Sequence, residues 1–408
     1  MKRDYEIIIS GGGPAGATAA LAAARLGVRV LLIDKRSFPR DKVCGDAVAR
    51  KSLGYARDLG LLEQVLAAPH EPIGAAILGS PDGTTVRFDL TETPPGGGDR
   101  TCPHIVCRRE IFDAVLYEAA RREVDTIEGR PVTDVMIEDG VVRGVACNNR
   151  RITAGVVIAA DGYNSIIARK FGCYRFDPVR WYVATRAYYR GLDCPSRTVE
   201  VHFTADTLPG FLWMFPCGDG TTNVGLGMIQ SDIKSRGVSI RDVHEAVVQT
   251  PRFRDRFKRA EQVDKIHGWT LPTPDFSRVI HGAGFLLAGD AAGLVDPFSG
   301  EGIGNAMGSG MIAARVGADA VKRDDYSAQS LSEYPSLLWR ELDAGEIKLH
   351  YRLRGLARRK WLVNFLIARA ARHGDILKWL SDMTAREGSV ERKRSLTSPM
   401  TYLKLLFK

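Results

Sequence analysis

The sequence predicts an α/β fold in which a parallel sheet is interleaved with an antiparallel sheet and followed by a basic helical region. Residues 5–34 have the pattern of a strand, a glycine-rich turn, a helix and a strand, and a similar glycine-rich pattern returns near residue 290. Residues 180–280 are instead alternating strands rich in aromatic residues. The expected regions are a discontinuous Rossmann-like domain over 1–175 and 281–325, with sheet insertions on the substrate side, an antiparallel-sheet substrate domain over 176–280, and helices over 326–408.

Composition places the chain among ordinary globular proteins. Its 408 residues are enough for a large core and about two domains, and 45% hydrophobic with 26% charged residues is neither a disordered nor a fibrous composition. The seven cysteines are widely spread and form no C-x-x-C pair, which argues against a disulfide framework and a zinc site. We therefore expect no metal and a reducing compartment.

Two features bear on location. The first strand begins within five residues of Met1, which leaves no room for a signal or transit peptide. The most apolar late stretch, Trp361–Ala368, has only eight residues and is too short to span a bilayer. We expect a cytoplasmic protein that does not cross a membrane.

The positive charge lies in the C-terminal region. Residues 340–408 hold sixteen Lys or Arg against seven Asp or Glu, an excess of nine that equals the net charge of the whole chain. Apolar anchors stand among these charges, and they are Trp361, Leu362, Phe365, Leu366, Leu377, Trp379 and Leu380, with a further group over 402–408. This pattern predicts either peripheral contact with an anionic membrane surface or a helical cap packed on the protein. No nucleic-acid-binding motif accompanies the charge, so nucleic acid is not an expected partner.

The N-terminal stretch contains a dinucleotide-binding motif in its proper context. The apolar strand Tyr5–Ile9 runs directly into the glycine-rich segment 11–16, and an alanine-rich helix follows over Ala17–Leu26. A helix start placed there can direct its free N–H groups at phosphates.

Individual residues of this motif have separate expected roles. Gly11 permits the tight turn, Gly13 lets the backbone approach a pyrophosphate, and Gly16 lets the helix pack closely on the strand. Asp34 ends the next apolar strand, eighteen residues beyond Gly16. Its carboxylate stands where a ribose hydroxyl pair would be held.

The polar loop Lys35–Asp46 leaves the second strand beside the expected cofactor crevice. It carries one thiol, Cys44, which is either a site residue or a small buried side chain. A helix is predicted over Ala47–Ala67, and Arg109 opens another. A cation in a first turn opposes the helix dipole, so Arg109 is expected either to have a partner such as phosphate or carboxylate, or to be solvated.

A three-stranded meander is predicted over Val132–Ile137, Val141–Cys147 and Arg151–Thr153, and the apolar run Ala154–Ala160 follows as a separate buried strand. That run ends at Asp161. The sequence thus places another carboxylate at the carboxyl edge of a parallel sheet.

A second glycine-rich loop occurs late in the discontinuous domain. The strand Gly284–Ala288 is followed by Gly289 and Asp290, and Gly300–Gly304 opens a helix that extends through Ala318. Asp290 has the position of a hydroxyl acceptor, and the helix start can supply N–H donors to an anionic group.

The antiparallel region contains an aromatic strand within residues 209–216, where Phe211, Trp213 and Phe215 stand at alternate positions. Such a strand forms a core face more often than a pocket wall. A wall for an apolar substrate is the alternative.

Taken together, these residues resemble the flavin-dependent geranylgeranyl reductase family, part of the group with the flavin hydroxylase fold. The likeness spans about residues 5–320 and rests on four segments, which are GGGPAG at 11–16, PRDKVCGDAV at 39–48, PGFLWMFP at 209–216 and GDAAGLVDPFSGEGI at 289–303. The first and last are typical of the wider FAD group, whereas the second and third indicate prenyl reductases. Phe211 stands where the family often has tyrosine, which excludes a phenol hydroxyl there.

The resemblance implies FAD, with Asp34 on the adenosine ribose, Arg109 near the phosphates, Asp290 at the ribityl or pyrophosphate region and Gly300–Gly304 beside the flavin N1 edge. Reduced flavin is negatively charged at that edge, and a helix N-terminus stabilises an anion by roughly 0.3 to 2 kcal/mol. The cofactor-binding residues that the resemblance implies are Gly11, Gly13, Pro14, Ala15, Gly16, Asp34, Lys35, Cys44, Gly45, Arg109, Asp161, Gly289, Asp290, Pro297, Gly300, Gly302 and Ile303.

The resemblance also implies hydride transfer from reduced flavin to an isolated prenyl double bond, with a proton delivered to the neighbouring carbon. Cys44 would be the proton donor or a substrate contact, and Phe211, Trp213 and Phe215 would line the channel. The substrate would be an apolar prenyl lipid, a quinone or a prenyl diphosphate. The electron donor, NAD(P)H or a ferredoxin-like protein, stays open because the chain has one complete dinucleotide motif.

Two other functions stay open at this point. The same FAD framework can hold an oxygen-activated flavin, as in monooxygenases and halogenases, although the sequence lacks a halogenase-type tryptophan motif. The chain could also be a flavin-bearing electron-transfer protein or membrane-surface partner without a substrate of its own.

Overall fold

The computed structural model describes residues 3–90, 104–174 and 176–373. Its strands are β1 Tyr5–Ser10, β2 Val30–Ile33, β3 Ala47–Val48, β4 Glu71–Ile73, β5 Ala75–Gly79, β6 Thr85–Asp89, β7 His104–Val106, β8 Asp125–Ile127, β9 Val132–Glu138, β10 Val141–Cys147, β11 Arg150–Ala159, β12 Tyr182–Arg190, β13 Thr198–His202, β14 Leu212–Pro216, β15 Thr221–Ile229, β16 Glu261–Gln262, β17 His267–Leu271, β18 His281–Gly282 and β19 Phe285–Leu287. Its helices are α1 Pro14–Arg25, α2 Arg50–Asp58, α3 Leu62–Ala67, α4 Arg109–Ala120, α5 Ile166–Lys170, α6 Gln230–Arg236, α7 Ile240–Val248, α8 Arg254–Phe257, α9 Ile303–Arg323, α10 Tyr334–Glu341, α11 Ala344–Ala357 and α12 Lys360–Arg372, with a 3₁₀ turn at Gly289–Ala291.

The first sheet has the strand order β18-β19-β11-β1-β2-β8, and its central strands β19, β11, β1, β2 and β8 run parallel. Ile7, Ile8 and Ile9 of β1 are fully buried, as are Val156 and Val157 of β11. Parallel strands covered on both faces need uninterrupted apolar runs, which explains why these strands show no polar alternation.

The strand β11 corrects one prediction. Its early residues pair antiparallel with β10, as Thr153 does with Gly144, and its later residues pair parallel with β1, as Ile158 does with Ile9. The predicted division between a meander strand and a separate buried strand is wrong. An extended chain can change its pairing partner without a break, and the sequence pattern does not show which partner it has.

The predicted helix Ala47–Ala67 is also wrong as a single element. Its first two residues form β3 and pair with β7, α2 ends at Asp58, and α3 begins at Leu62. Gly60, between the two helices, has a φ of 67°, a left-handed conformation that ends helices. The pairing of β3 with β7 fixes the end of the Lys35–Asp46 loop.

Two small-residue helices, α1 and α9, pack closely against each other. A Cβ atom on Gly310 would lie 2.1 Å from the Ala15 carbonyl oxygen, and the Thr18 hydroxyl donates to the Met307 carbonyl oxygen at 3.1 Å. The start of α1 therefore lies close to the start of α9.

The second sheet is mostly antiparallel, with the order β16-β12-β15-β14-β13-β5-β6, and β17 also pairs with β12. Its strands β5 and β6 come from residues 75–89, and β5 pairs parallel with β13. One face is buried where Met214 and Val224 pack with Val247 of α7. A small third sheet, β3-β7-β4, follows the Lys35–Asp46 loop.

Within the described residues, three helices follow α9. In α10 the Tyr334 hydroxyl donates to the Leu287 carbonyl oxygen at 2.6 Å, at the end of β19. In α12 Val363 and Ile367 pack with Val86 of β6. The region that follows α9 is therefore mainly helical up to Arg372, and it packs against both sheets.

Some predictions fall outside the described residues. These are the apolar anchors Leu377, Trp379 and Leu380, the group over 402–408, and the loop over 91–100. In the part of the chain that the structure covers, none of the helices combines the length and the apolar character that a bilayer span requires.

Candidate cofactor and substrate site

The turn between β1 and α1 is closed by backbone contacts that leave no room for side chains. A Cβ atom on Gly11 would lie 2.3 Å from the Ala160 carbonyl oxygen, and one on Gly16 would lie 1.7 Å from the Gly11 carbonyl oxygen. Gly13 differs, because among the described residues a Cβ there would meet only Arg40 Nη2, at 3.3 Å. Gly11 and Gly16 thus shape the turn, whereas the surface over Gly13 has room for a ligand.

Helix α1 begins without a side-chain cap. Gly13 is its N-cap residue, and Pro14 and Ala15 follow as buried first residues. The N–H groups of a first turn have no partner inside the helix, and glycine offers no side chain to accept their hydrogen bonds. These N–H groups can therefore serve an anionic ligand.

Asp34 links the end of β2 to this turn. Its Oδ2 accepts a hydrogen bond from the Gly12 N–H at 2.7 Å, and its Oδ1 accepts one from the Arg36 N–H at 2.8 Å. Lys35, beside it, is exposed. A carboxylate has further lone pairs, so Asp34 can still accept a bond from a ribose hydroxyl.

Asp161 follows β11 at the same sheet edge. Its Oδ2 accepts a bond from the Ile166 N–H at 3.0 Å, whereas its solvent-shielded Oδ1 has no donor among the described residues. Burial raises the pKa of this carboxyl above its ordinary value, although hydrogen bonds from Ser165 and Ile166 oppose the shift. A shielded oxygen without a donor fits a ligand that brings a hydroxyl group. The uncapped start of α1, the open surface over Gly13 and the shielded oxygen of Asp161 lie at the same edge of the sheet. Together they suit a cofactor with both phosphate and hydroxyl groups, as FAD has.

Asp290 already has a partner in the protein. Lys42 Nζ lies 3.0 Å from its Oδ2 and 5.6 Å from the centroid of a Trp269 ring. Trp269 packs edge-on against Tyr163, and its Nε1 is buried without an acceptor among the described residues. Lys42 is a site residue that the sequence did not single out, and a ligand hydroxyl on Asp290 stays a prediction.

The loop between β19 and α9 is anchored at both ends. The Gly289 N–H donates to Ser309 Oγ at 2.9 Å, and the Pro297 carbonyl oxygen accepts from the Tyr182 hydroxyl at 3.1 Å. The second bond connects the loop to β12 of the antiparallel sheet. The two sheets are therefore joined beside the expected flavin position.

The approach to the start of α9 is open above Gly300. No described atom lies within 4 Å of a Cβ atom built on Gly300, and Gly302 is an N-cap residue without a side chain. Ile303 begins the helix and is buried. The first-turn N–H groups of this 21-residue helix have no side-chain cap from Gly302, as at α1.

Arg109 has a carboxylate partner. Its Nε and Nη2 donate to the two carboxylate oxygens of Asp113, both at 2.7 Å, and Arg109 is only 3% exposed. Burial lowers the pKa of Arg109, but the Asp113 charge outweighs this and raises the pKa overall. Arg40 Nη1 donates to the same carboxylate at 2.8 Å. Arg40, beside Gly13, thus brings a guanidinium to the expected pyrophosphate surface, and a phosphate contact of Arg109 stays a prediction.

The Lys35–Asp46 loop reaches the aromatic strand β14. A Cβ atom on Gly45 would lie 3.1 Å from the Phe215 ring and 3.4 Å from Trp213 Nε1. Cys44 is half-buried, and its thiol interacts with the Arg109 guanidinium. A residue with a side chain would push the loop away from the strand, so glycine at position 45 permits this contact.

Asn223 of β15 holds the loop and the strand together. Its Nδ2 donates to the Cys44 carbonyl oxygen at 2.8 Å and to Asp46 Oδ2 at 2.7 Å. Its Oδ1 accepts from the Trp213 Nε1–H at 2.8 Å. The side chain is fully buried, so one amide fixes three groups away from water.

Asp46 is a fully buried carboxyl group two residues after Cys44. Its Oδ2 also accepts from the Tyr188 hydroxyl at 2.6 Å, and its Oδ1 accepts from the Arg109 N–H at 3.3 Å. Burial raises the pKa of Asp46 to about 6, although bonds from Tyr188 and Asn223 oppose the shift. The site therefore contains a carboxyl group that changes its charge near neutral pH.

Tyr188 lies between two guanidinium groups. Those of Arg108 and Arg186 are each 4.2 Å from its ring centroid. Arg186 is fully buried and forms ion pairs with Asp264, at 2.6 Å, and with Asp41 of the Lys35–Asp46 loop. This cluster is a second connection between that loop and the antiparallel sheet.

The strand β14 has two different faces. Leu212 and Met214 are buried in the core of the second sheet. The aromatic side chains alternate with them: Phe211 and Phe215 are half-buried, Trp213 is buried, and their neighbouring ring centroids are each 6.4 Å apart. The aromatic side chains therefore lie outside the main core of this sheet, on the face that meets Gly45.

Sequence reasoning did not single out five residues of this region, which are Arg40, Lys42, Asp46, Tyr188 and Asn223. The first three lie inside the PRDKVCGDAV segment or at its edge, where their charge was the available signal. Tyr188 and Asn223 belong to no motif. They stand opposite each other on β12 and β15, which only the strand register shows.

Comparison with known proteins gives consistent likenesses. The family described as FAD binding domain matches residues 4–322. The chain is 32% identical over 360 residues to the digeranylgeranylglycerophospholipid reductase of Methanoculleus marisnigri, a match that covers 85% of this chain and 84% of that protein. It is 30% identical over 349 residues to the protein of the same name from Thermoplasma volcanium, with 82% and 83% covered.

Solved structures share the fold. A geranylgeranyl bacteriochlorophyll reductase-like protein from Thermoplasma acidophilum has a TM-score of 0.81 and 24% identity, with 96% of this chain and 99% of that chain covered. A flavin-dependent brominase has a TM-score of 0.72 and 22% identity, with 93% of each chain covered. At these identities the likenesses show the fold alone.

The predicted α/β fold with an FAD-binding domain and the predicted FAD-dependent oxidoreductase are confirmed. The family match includes both glycine-rich loops, and the matches to the curated reductases extend over more than four-fifths of the chain. The chain belongs to the geranylgeranyl reductase family, within the larger family of proteins that carry this FAD binding domain.

Proposed function

We propose that this protein reduces isolated double bonds in the geranylgeranyl chains of a glycerophospholipid, with FAD as its cofactor. The names of its relatives supply the substrate class. The observation that carries the proposal is the contact of Gly45 with Trp213 and Phe215, which joins the cofactor edge of the first sheet to an aromatic face of the second. An apolar wall beside a cofactor crevice suits a hydrocarbon substrate.

The chain would hold FAD at the carboxyl edge of its first sheet. The uncapped start of α1 and the surface over Gly13 would take the diphosphate, Asp34 the adenosine ribose, and Asp161 a further hydroxyl group. When bound and reduced by the external electron donor, the flavin would supply the hydride for one carbon of the double bond.

The aromatic face would orient the prenyl chain and exclude water. An alkene offers no hydrogen bond, so shape and dispersion contacts with Phe211, Trp213 and Phe215 must position it. The bond from the Trp213 indole to Asn223 prevents free rotation of the largest of these side chains.

Cys44 would provide the proton for the second carbon. Its loop contacts the aromatic wall, and its thiol must carry the hydrogen for this role. A simple substrate contact is the alternative role, and replacement of the thiol distinguishes the two if turnover is measured with FAD bound.

A lipid substrate requires access from a membrane, and α12 offers a surface for this. Trp361, Phe365 and Leu366 are 66%, 42% and 41% exposed, and the exposed cations Arg359 and Lys360 precede them. Apolar and aromatic side chains beside cations are typical of helices that bind anionic bilayers. We expect Trp361→Ser to weaken co-sedimentation with anionic vesicles while FAD affinity stays unchanged. Equal co-sedimentation of variant and wild type would exclude this surface.

The external electron donor would be NAD(P)H or a ferredoxin-like protein. Anaerobic mixing of the oxidised holoenzyme with each donor distinguishes them, because reduction bleaches the flavin absorbance. The donor that bleaches it within the turnover time is the one used.

An anaerobic assay tests the function itself. The dithionite-reduced protein is mixed with a geranylgeranylated phospholipid, geranylgeranyl diphosphate and menaquinone, and the products are analysed by mass. We expect the phospholipid to gain two hydrogens per step while the flavin is reoxidised. If only the diphosphate or only the quinone gained hydrogen, that compound would be the substrate in place of the phospholipid. If the protein bound flavin but formed no reduced lipid, the proposed reductase function would be refuted. Fast oxygen consumption by the reduced protein would then indicate a monooxygenase.

A further inference from the structure

Helix α11, from the C-terminal region, reaches the loop that precedes α9. His350 Nδ1 lies 2.5 Å from Asp296 Oδ2, and the two residues are only 5% and 3% exposed. A carboxylate accepts hydrogen bonds, so the imidazole donates here. No sequence motif includes His350, and the roles proposed above do not use it.

Asp296 organises the backbone of this loop. Its Oδ1 accepts from the Phe298 N–H at 3.0 Å, from the Ser299 N–H at 2.8 Å and from the Ser299 hydroxyl at 2.9 Å. Its own N–H donates to the Glu301 carbonyl oxygen at 2.8 Å, and its carbonyl oxygen accepts from the Gly300 N–H at 3.1 Å. The path of residues 297–301 therefore depends on where the Asp296 carboxylate points.

The bond from His350 holds the second oxygen of that carboxylate in place. With Oδ1 engaged by the loop, Oδ2 points towards α11, where water has little access. A buried carboxylate that loses a donor can rotate to find another, and its three Oδ1 bonds would then weaken.

Other contacts hold α11 in place without His350. The Tyr351 hydroxyl donates to the Pro274 carbonyl oxygen at 2.6 Å, and Arg354 Nη1 donates to the Arg180 carbonyl oxygen at 2.9 Å. The docking of the helix and the orientation of Asp296 can therefore be separated by mutation.

We propose that His350 is a positioning residue of the cofactor site. Through Asp296 it fixes residues 297–301, and so the direction in which the first N–H groups of α9 point. This inference rests on the proposed function only in placing the flavin ring at the start of α9. A helix N-terminus stabilises an anion, so its correct direction favours the reduced, negatively charged flavin over the oxidised form.

The test compares His350→Ala and His350→Asn with Tyr351→Phe in the full-length protein. The amide of asparagine can place an N–H near the position of Nδ1, whereas Tyr351→Phe removes a hydroxyl from the same helix without touching Asp296. FAD affinity is measured by flavin fluorescence, and the two-electron reduction potential by anaerobic dye titration.

We expect His350→Ala to weaken FAD binding by about tenfold, because the loop that directs the first N–H groups of α9 loses the bond that positions Asp296. Its reduction potential should move to a more negative value. His350→Asn should restore most of both properties, and Tyr351→Phe should leave them at the wild-type values. An unchanged potential in His350→Ala, or an equal shift in Tyr351→Phe, would overturn the proposal.

A third substitution of His350 covers the case in which His350→Ala does not fold. His350→Gln fills the volume of the imidazole but carries its amide near the position of Nε2. We expect it to fold and to show a more negative potential than His350→Asn, and equal potentials would contradict the inference.

The outcome is independent of the lipid assay. If the wild type fails to reduce any prenyl substrate but the potential shifts as expected, the proposed substrate is wrong and the role of His350 stands. If the wild type reduces lipid while the His350 variants keep its potential, the inference is wrong and the proposed function stands.

Discussion

The glycine turn after β1 and the contact between Gly45 and β14 are built in different ways. The turn consists of residues close in sequence, and its walls are backbone atoms, as where Gly16 meets the Gly11 carbonyl oxygen. The Gly45 contact is held by Asn223, which lies 179 and 177 positions from its partners Cys44 and Asp46. The turn is therefore sensitive to added volume, and the contact is sensitive to lost hydrogen bonds. Mutations should separate cofactor binding from substrate positioning.

The largest effect is expected for Gly16→Ala. The new methyl group would lie 1.7 Å from the Gly11 carbonyl oxygen, so β1 and α1 must move apart. We expect loss of FAD binding and of at least about 1–3 kcal/mol of stability, measured by flavin content and thermal unfolding. Gly13→Ala is the matched control and should fold normally, because among the described residues only the Arg40 side chain has to shift. Normal flavin content in Gly16→Ala would contradict this account of the turn.

Cys44→Ala should have the next largest effect, and this effect should be on turnover and not on FAD binding. Removing the thiol should leave FAD bound but abolish most prenyl reduction, which flavin absorbance and product mass measure together. Cys147→Ala removes a different thiol, which is buried on β10, and controls for the loss of a sulfur atom. Unchanged turnover in Cys44→Ala would exclude Cys44 as the proton donor.

Asn223→Leu tests the hydrogen bonds between the loop and the strand. The substitution conserves volume but removes bonds to Cys44, Asp46 and Trp213, and it leaves buried polar groups without this partner. We expect a loss of about 1–3 kcal/mol of stability, lower kcat and altered Trp213 fluorescence, while FAD affinity changes little. If FAD affinity fell as much as kcat, the two regions would not be separable.

The smallest effect concerns pH. The pKa of Asp46 is raised by burial from 3.8 to about 6, so the folded state binds the Asp46 proton more tightly than the unfolded state does. The stability that this proton contributes is fully present below about pH 4 and is lost as the pH rises through about 6. Asp46→Asn should remove this decline, which denaturant unfolding at several pH values measures. A decline that persists in the variant would assign it to another group.

Local rules explain why the glycine turn was predicted in detail. A strand, a glycine turn and a helix in succession fix the positions of Gly11, Gly16 and Asp34, because backbone geometry over short distances is nearly independent of the rest of the chain. The same reasoning failed for residues 47–67, where β3 pairs with β7 and Gly60 ends a helix. Tertiary pairing outweighed the helical pattern there.

Two other residues show what the sequence could not indicate. The sequence predicted that Arg109 has a partner such as a carboxylate or a phosphate. In the structure its partner is the carboxylate of Asp113, one turn further along α4. The sequence gave no signal for Asn223, because an asparagine in a strand has no distinctive spacing. Its role arises from the register of β15 with β12 and β14.

The sequence by itself determined that the chain binds a dinucleotide cofactor, that two sheets interleave, and that an aromatic strand is present. These features follow from periodicity and from glycine chemistry, which act over a few residues. Only the tertiary structure decided that Gly45 meets Trp213, that Asn223 holds Cys44 and Asp46, and that His350 bonds to Asp296. Each of those contacts joins segments of the chain that are distant in sequence, and each depends on burial and strand register, which are properties of the packed molecule.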